Sequence, residues 1–139
     1  MASVEQTLVA IIEDDADAAF LLRRLLLKTE LPHHVEHLDD GEKALNFLTT
    51  RFDQTQTDES PDLILLDIKM PKLNGFEVLE WIRSKAHLAV PVIVMTTSDD
   101  PNDQQRALDL GADAFVSKFP SAPEFRELVM KLLRANAAA

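Results

Sequence analysis

Four branched aliphatic residues in a row, Leu63-Ile64-Leu65-Leu66, constrain this chain more than any other stretch. A run without polar alternation reads as a strand buried on both faces, and such strands belong to parallel sheets covered by helices on either side. The run stops at Asp67, after which Pro71, Asn74 and Gly75 turn the backbone into a loop. An acid just past a buried parallel strand stands where open α/β sheets keep their ligand sites. Asp67 is therefore the first candidate for a working residue.

The same unit recurs along the chain. Leu8 to Ile12 is a second continuous apolar run, and it ends in Glu13-Asp14-Asp15. Ala18, Leu21, Leu22, Leu25 and Leu26 then recur at helical spacing, with Asp15 or Asp17 placed to cap the helix and Pro32 to close it. His34 to Leu38 alternates like a short strand near a sheet edge, and Asp39-Asp40-Gly41 leads into a helix with Ala44, Leu45, Phe47 and Leu48 inside. Residues 51–60 are polar and without period, which predicts a surface loop of the tolerated-insertion kind. A helix from Gly75 to Lys85 should bury Phe76, Val78, Leu79 and Ile82. Pro91 to Met95 is the next buried run, ending in Thr96-Thr97-Ser98, and Asn102 or Asp103 could cap the helix that Gly111 ends. Ala114 to Ser117 is a short strand ending at Lys118, followed by a helix from about Pro123 to Arg134. Five strand–helix units in strict alternation predict an α/β domain, a parallel sheet with helices on both faces. Its 139 residues fit one domain, residues 1–139, with no room expected for an output domain.

Composition removes several classes of function. A formal net charge of −10 opposes binding to nucleic acid. The absence of cysteine excludes thiol catalysis, disulfides and thiolate metal sites. No apolar run reaches membrane-spanning length and no basic segment precedes one at the start, so a cytoplasmic location without a membrane partner is expected.

Right-handed crossovers bring the carboxyl ends of all parallel strands to one edge. That edge receives Glu13 and Asp14 from the first strand, Asp67 from the third, Thr96 and Thr97 from the fourth, and Lys118 from the fifth. Singly, each has a plain reading: a helix cap, a strand end, a solvated lysine. Together, three carboxylates with neither thiol nor histidine make a hard oxygen site suited to Mg2+ at roughly 2.1 Å. The cation would offset the repulsion among the acids and keep Asp67 ionised, hence nucleophilic. Lys118 adds a fixed positive charge and the Thr96 hydroxyl a donor. The set reads as a phosphoryl-acceptor site.

On these residues the chain resembles the receiver domains of two-component response regulators. The likeness rests on Glu13-Asp14, Leu65-Leu66-Asp67-Ile68-Lys69-Met70-Pro71 with Gly75, Thr96-Thr97-Ser98 and Ser117-Lys118, and runs from Leu8 to about Leu133. The resemblance implies a flavodoxin-like (βα)5 doubly wound sheet in the order 2-1-3-4-5. It implies phosphorylation of Asp67 by a sensor histidine kinase or a histidine phosphotransfer protein. Mg2+ would be held by Asp14 directly, by Glu13 through water, by Asp67 and by the Lys69 carbonyl. Thr96 and Lys118 would contact the phosphoryl group, with Thr96 and Phe115 as switch residues. By the same resemblance, Lys69 and Ser98 would occupy positions where family members control water access to the aspartyl phosphate. Within the family, His33 to Leu48 and the polar stretch after it resemble the stand-alone regulators paired with bacterial phytochromes.

The family's lysine is usually followed by proline, often across a cis peptide, whereas here Phe119 follows Lys118 and Pro120 comes one place later. Either that bond is cis without proline or the loop rearranges, and Phe119 points either outward or in. Helical phase, taken with Leu21, Leu22 and Leu25 inside, predicts that Ala16, Ala19, Phe20, Arg23 and Leu27 face out beside the site as a kinase-docking surface. A homodimer through the face of the fourth helix, fifth strand and fifth helix is the oligomer favoured. Three rival readings remain: a Mg2+-dependent phosphohydrolase working through an aspartyl phosphate, a flavin-binding domain on a similar sheet, and a binding module that keeps the pocket but is never phosphorylated. The first would need a second acid where Lys69 stands, and the second a phosphate cradle where Glu13-Asp14-Asp15 would repel it.

Overall fold

Every apolar run becomes a strand and every periodic segment a helix. In a computed structural model that describes residues 6–51 and 60–138, the chain runs β1 (Thr7–Ile12), α1 (Ala16–Lys28), β2 (His33–Leu38), α2 (Gly41–Arg51), β3 (Leu63–Leu66), α3 (Gly75–Glu80), β4 (Val92–Thr96), α4 (Pro101–Asp109), β5 (Ala114–Ser117) and α5 (Ala122–Ala138). A π-helical turn, Trp81–Lys85, continues α3. The polar loop expected between 51 and 60 lies almost wholly outside the described residues. All strands pair parallel in one sheet, ordered β2-β1-β3-β4-β5. This is the doubly wound, flavodoxin-like sheet expected.

Strand alternation divides the core in two. Even-numbered residues such as Ala10, Ile64 and Val94 pack with Leu48 of α2, Phe76 and Leu79 of α3 and Ala107 of α4. Odd-numbered residues such as Ile11, Leu65 and Ile93 pack with Leu22 and Leu26 of α1 and Phe125 and Val129 of α5. The central strands are therefore dry on both faces, which is why they carry no polar residue until they end.

Two local expectations are corrected. In α1 the buried stripe is Ala18, Ala19, Leu22 and Leu26, so Ala19 faces the core and Leu21 is 43% exposed. With leucines at five of the seven positions 21–27, several helical phases are equally apolar, and the chosen one sets small alanines against the sheet. In α4 the cap is Asp100, whose side chain accepts from the Asn102 amide, with Pro101 at the first helical position. Asp15 does cap α1, accepting from the Asp17 amide at 2.9 Å.

Arg83 ties the π-helical turn to the amino ends of β4 and β5. Its guanidinium donates to the Leu88 carbonyl at 2.7 Å, the Gly111 carbonyl at 2.9 Å and the Asp113 carboxylate at 2.9 Å. Asp113 in turn accepts from the Val92 amide at the start of β4. Gly111 stands at φ 106°, and a Cβ there would meet the Arg83 side chain at 2.7 Å. Arg83→Ala leaves two carbonyls and one carboxylate without this donor, and should cost about 3 kcal/mol of unfolding free energy. Urea denaturation with an unchanged m-value checks it; a loss within 0.5 kcal/mol, roughly the surface-substitution range, would show the clamp to be idle.

Candidate functional site

The residue just past each of three strands is still held by the sheet. The Glu13 amide donates to the Leu38 carbonyl at 3.0 Å, the Asp67 amide to Ile12 at 3.0 Å and the Lys118 amide to Thr96 at 2.9 Å. Three candidate side chains thus start from backbone fixed by the last rungs of the ladder. Gly75 closes the corner from behind: a Cβ there would lie 2.3 Å from the Asp67 carbonyl oxygen, so α3 can start this close to β3 only with glycine.

The side chains converge. Carboxylate oxygens of Glu13, Asp14 and Asp67 lie within 4.8 Å of one another, with Glu13 and Asp67 buried and Asp14 exposed. The Lys118 ammonium bridges Glu13 Oε1 and Asp67 Oδ2, the latter at 3.2 Å, and its side chain is only 6% exposed. The other oxygen of each acid takes a backbone donor: Glu13 Oε2 accepts from the Asp15 amide at 3.2 Å, and Asp67 Oδ1 from the Lys69 amide at 3.0 Å. Burial pushes the Glu13 carboxyl up to about 7, with the Lys118 hydrogen bond opposing and the Asp67 charge adding to the rise. For Lys118 burial acts downward, but the hydrogen bond to Glu13 and the two acidic charges prevail and hold the ammonium above its ordinary value. A hard, all-oxygen donor set with one open, exposed member fits a small divalent cation such as Mg2+.

Thr96 is fully buried at the end of β4, where its Oγ1 accepts from the Ser98 amide at 3.3 Å. The Ser98 hydroxyl donates to Asp103 Oδ2 at 2.5 Å, a link between the β4–α4 loop and the first turn of α4 that residue types alone did not suggest. Phe115 is half-buried on β5, in register with Val94 and packed against the core on the α2–α3–α4 side. The Lys118–Phe119 bond is cis, the first of the two alternatives, and Phe119 points outward, 42% exposed. With Leu21, Arg24, Leu25 and Lys28 it lines a groove of about 170 Å3. Of the predicted docking residues, Ala16, Phe20, Arg23 and Leu27 are exposed and Ala19 is not. Sequence reasoning also missed His37, whose ring nitrogen Nε2 lies 2.8 Å from the Glu13 carbonyl oxygen. Its strand alternation places it on the same sheet face as Glu13, the one signal that could have found it.

Residues 9–130 match the family model of the response regulator receiver domain. The chain is 37% identical over 126 residues to the probable transcriptional regulator ycf27 of Guillardia theta, covering 91% of this chain but 45% of that protein. It therefore spans less than half the length of this relative. Among solved structures, the bacteriophytochrome response regulator AtBRR aligns with a TM-score of 0.76 at 31% identity, covering 92% of this chain and 93% of the other. The phosphorylated cyanobacterial phytochrome response regulator RcpA aligns at 0.74 and 29% identity, covering 91% of both. Among the described residues no helix is long and apolar enough to cross a membrane.

Proposed function

The chain belongs to the response regulator receiver family, and on that premise we propose that it takes a phosphoryl group onto Asp67 from the phosphohistidine of a sensor histidine kinase or histidine phosphotransfer protein. The observation that carries this reading is the Lys118 ammonium set between the buried carboxylates of Glu13 and Asp67, with exposed Asp14 beside them. Glu13, Asp14, Asp67 and the Lys69 carbonyl are the groups that would hold Mg2+, which when bound screens the acids from one another and withdraws charge from phosphoryl oxygens.

In this reading an Asp67 carboxylate oxygen forms the new P–O bond as the P–N bond of the donor breaks, and the departing imidazole retains the electron pair and takes up a proton. Lys118 stabilises the equatorial oxygens as charge builds on them. The Thr96 hydroxyl, accepting from Ser98, keeps its own hydrogen for a phosphoryl oxygen. Thr96 and Phe115 then move toward the new charge, and the α4–β5–α5 face changes with them and carries the homodimer contact. Incubation with radiolabelled acetyl phosphate and Mg2+ should label Asp67, with no label under EDTA or in Asp67→Asn. Label that persists in Asp67→Asn removes the mechanism.

Lys69 and Ser98 stand where water would approach the aspartyl phosphate, Lys69 as an exposed side chain and Ser98 as a buried hydroxyl bonded to Asp103. Lys69→Ala and Ser98→Ala should each alter the half-life of the phosphorylated protein after donor removal. Identical decay in both variants and the parent rejects that role.

The likeness to AtBRR and RcpA supports a bacteriophytochrome-type kinase as donor. Its helix would dock on the face of α1 that carries Ala16, Phe20, Arg23 and Leu27, extended by exposed Leu21 and Phe119 in place of Ala19. Phe20→Ala with Leu27→Ala should raise the KM for transfer from the kinase about 10-fold, as losing an interface anchor does, while acetyl phosphate labels the variant as before. An unchanged KM would place the kinase elsewhere.

A further inference from the structure

His37 lies outside the acceptor set, yet its ring reaches the corner. Nε2 is 2.8 Å from the Glu13 carbonyl oxygen. A carbonyl oxygen only accepts, so Nε2 carries the hydrogen and the ring donates. One residue further along β2, the Leu38 carbonyl accepts from the Glu13 amide at 3.0 Å. The backbone of residue 13 is thus gripped on both sides by consecutive residues of β2.

We propose that His37 is a positioning residue for the divalent-cation site, holding the Glu13–Asp14 peptide so that the Asp14 carboxylate faces Asp67. The inference rests on the metal site proposed above. The peptide group is planar, so fixing the Glu13 carbonyl fixes the plane that contains the Asp14 amide and Cα. Asp14 needs this more than its neighbours do. Glu13 is oriented by Lys118 and the Asp15 amide, and Asp67 by Lys118 and the Lys69 amide. Asp14 is exposed, so its direction is set chiefly by the backbone it leaves.

Register explains why β2 can supply this group. Ile11 pairs with His37, so both point to the same sheet face, and Glu13, two residues past Ile11, follows on that face. The other two histidines of the strand are engaged elsewhere: His33 Nδ1 lies 2.7 Å from the Leu31 carbonyl, and exposed His34 stands 3.5 Å from Glu36. Without His37 the Glu13 carbonyl would turn to water, and ordering the β1–α1 loop would oppose cation binding.

The test is calorimetric titration of Mg2+ into the whole chain and its His37→Ala, His37→Gln and His34→Ala variants, with thermal midpoints recorded for each. His37→Ala should weaken binding about 10-fold, the lower end of what losing a partner behind a metal ligand costs. His37→Gln, whose amide can donate in place of the ring, should recover most of the affinity, and His34→Ala should bind as the parent does. Parent-like affinity in His37→Ala overturns the inference alone, as does a His37→Gln variant that is folded and no tighter than His37→Ala. Failure of the parent to take up Mg2+ overturns the metal-site reading and this inference with it.

Discussion

One ammonium between two buried carboxylates is the interaction on which the acidic edge depends. Like charges within 4.8 Å of one another, as in Glu13, Asp14 and Asp67, repel by at least about 3.5 kcal/mol per pair at an effective dielectric near 20, and burial adds a desolvation penalty for the two inner acids. Lys118 offsets part of this in the chain as it stands, with its own side chain almost fully enclosed. It leaves a deficit of positive charge, because one cation faces three acids. A site in that condition favours an incoming divalent cation, and in the proposed function that charge would let the edge accept an anionic phosphoryl group. In the proposed function the same residue would both stabilise the resting edge and face the phosphoryl group.

The charges can be held this close because the sheet does not stop where its strands do. Glu13, Asp67 and Lys118 each donate a last backbone hydrogen bond to the neighbouring strand. Their Cα positions therefore belong to the rigid part of the molecule, and only their side chains have to be ordered. Asp14 lacks such a rung, being one residue further out. What fixes it must come from outside the ladder, and the β2 side chain that reaches the carbonyl of the peptide before it is His37. Gly75 contributes by omission, since any side chain at that point would strike the Asp67 carbonyl.

The strand ends were legible because two signals coincide there. Uninterrupted aliphatic runs locate buried parallel strands, and a charged or hydroxyl residue directly after each run marks the single edge to which all of them lead. Residues 114–117 and the lysine after them fell out of that logic at their observed bounds. Interactions between distant residues were not legible. Arg83 reaches Asp113 and Gly111 across about thirty positions, and Ser98 finds Asp103 only because Asp100 starts α4. That cap was misplaced by two or three residues because Asp100, Asn102 and Asp103 are all good caps, and Pro101 at the first helical position is what decides among them.

The misread phase of α1 has a consequence for recognition. If folding alone chose the face, burying leucines in preference to alanines would gain more apolar area. The helix instead sets Ala18 and Ala19 against the sheet and leaves Phe20 57%, Leu21 43% and Leu27 68% exposed. Phe119, on the loop after β5, joins them across a groove whose polar wall is Arg24 and Lys28. Four of the five exposed large apolar side chains among the described residues are therefore gathered on or beside one helix. That helix starts at the acidic corner, and its outer face carries Arg23, Arg24 and Lys28 in a chain whose net charge is −10. An apolar strip with basic flanks, next to Asp67, is complementary to a helix that presents an apolar stripe between acidic residues, the form the proposed kinase docking requires.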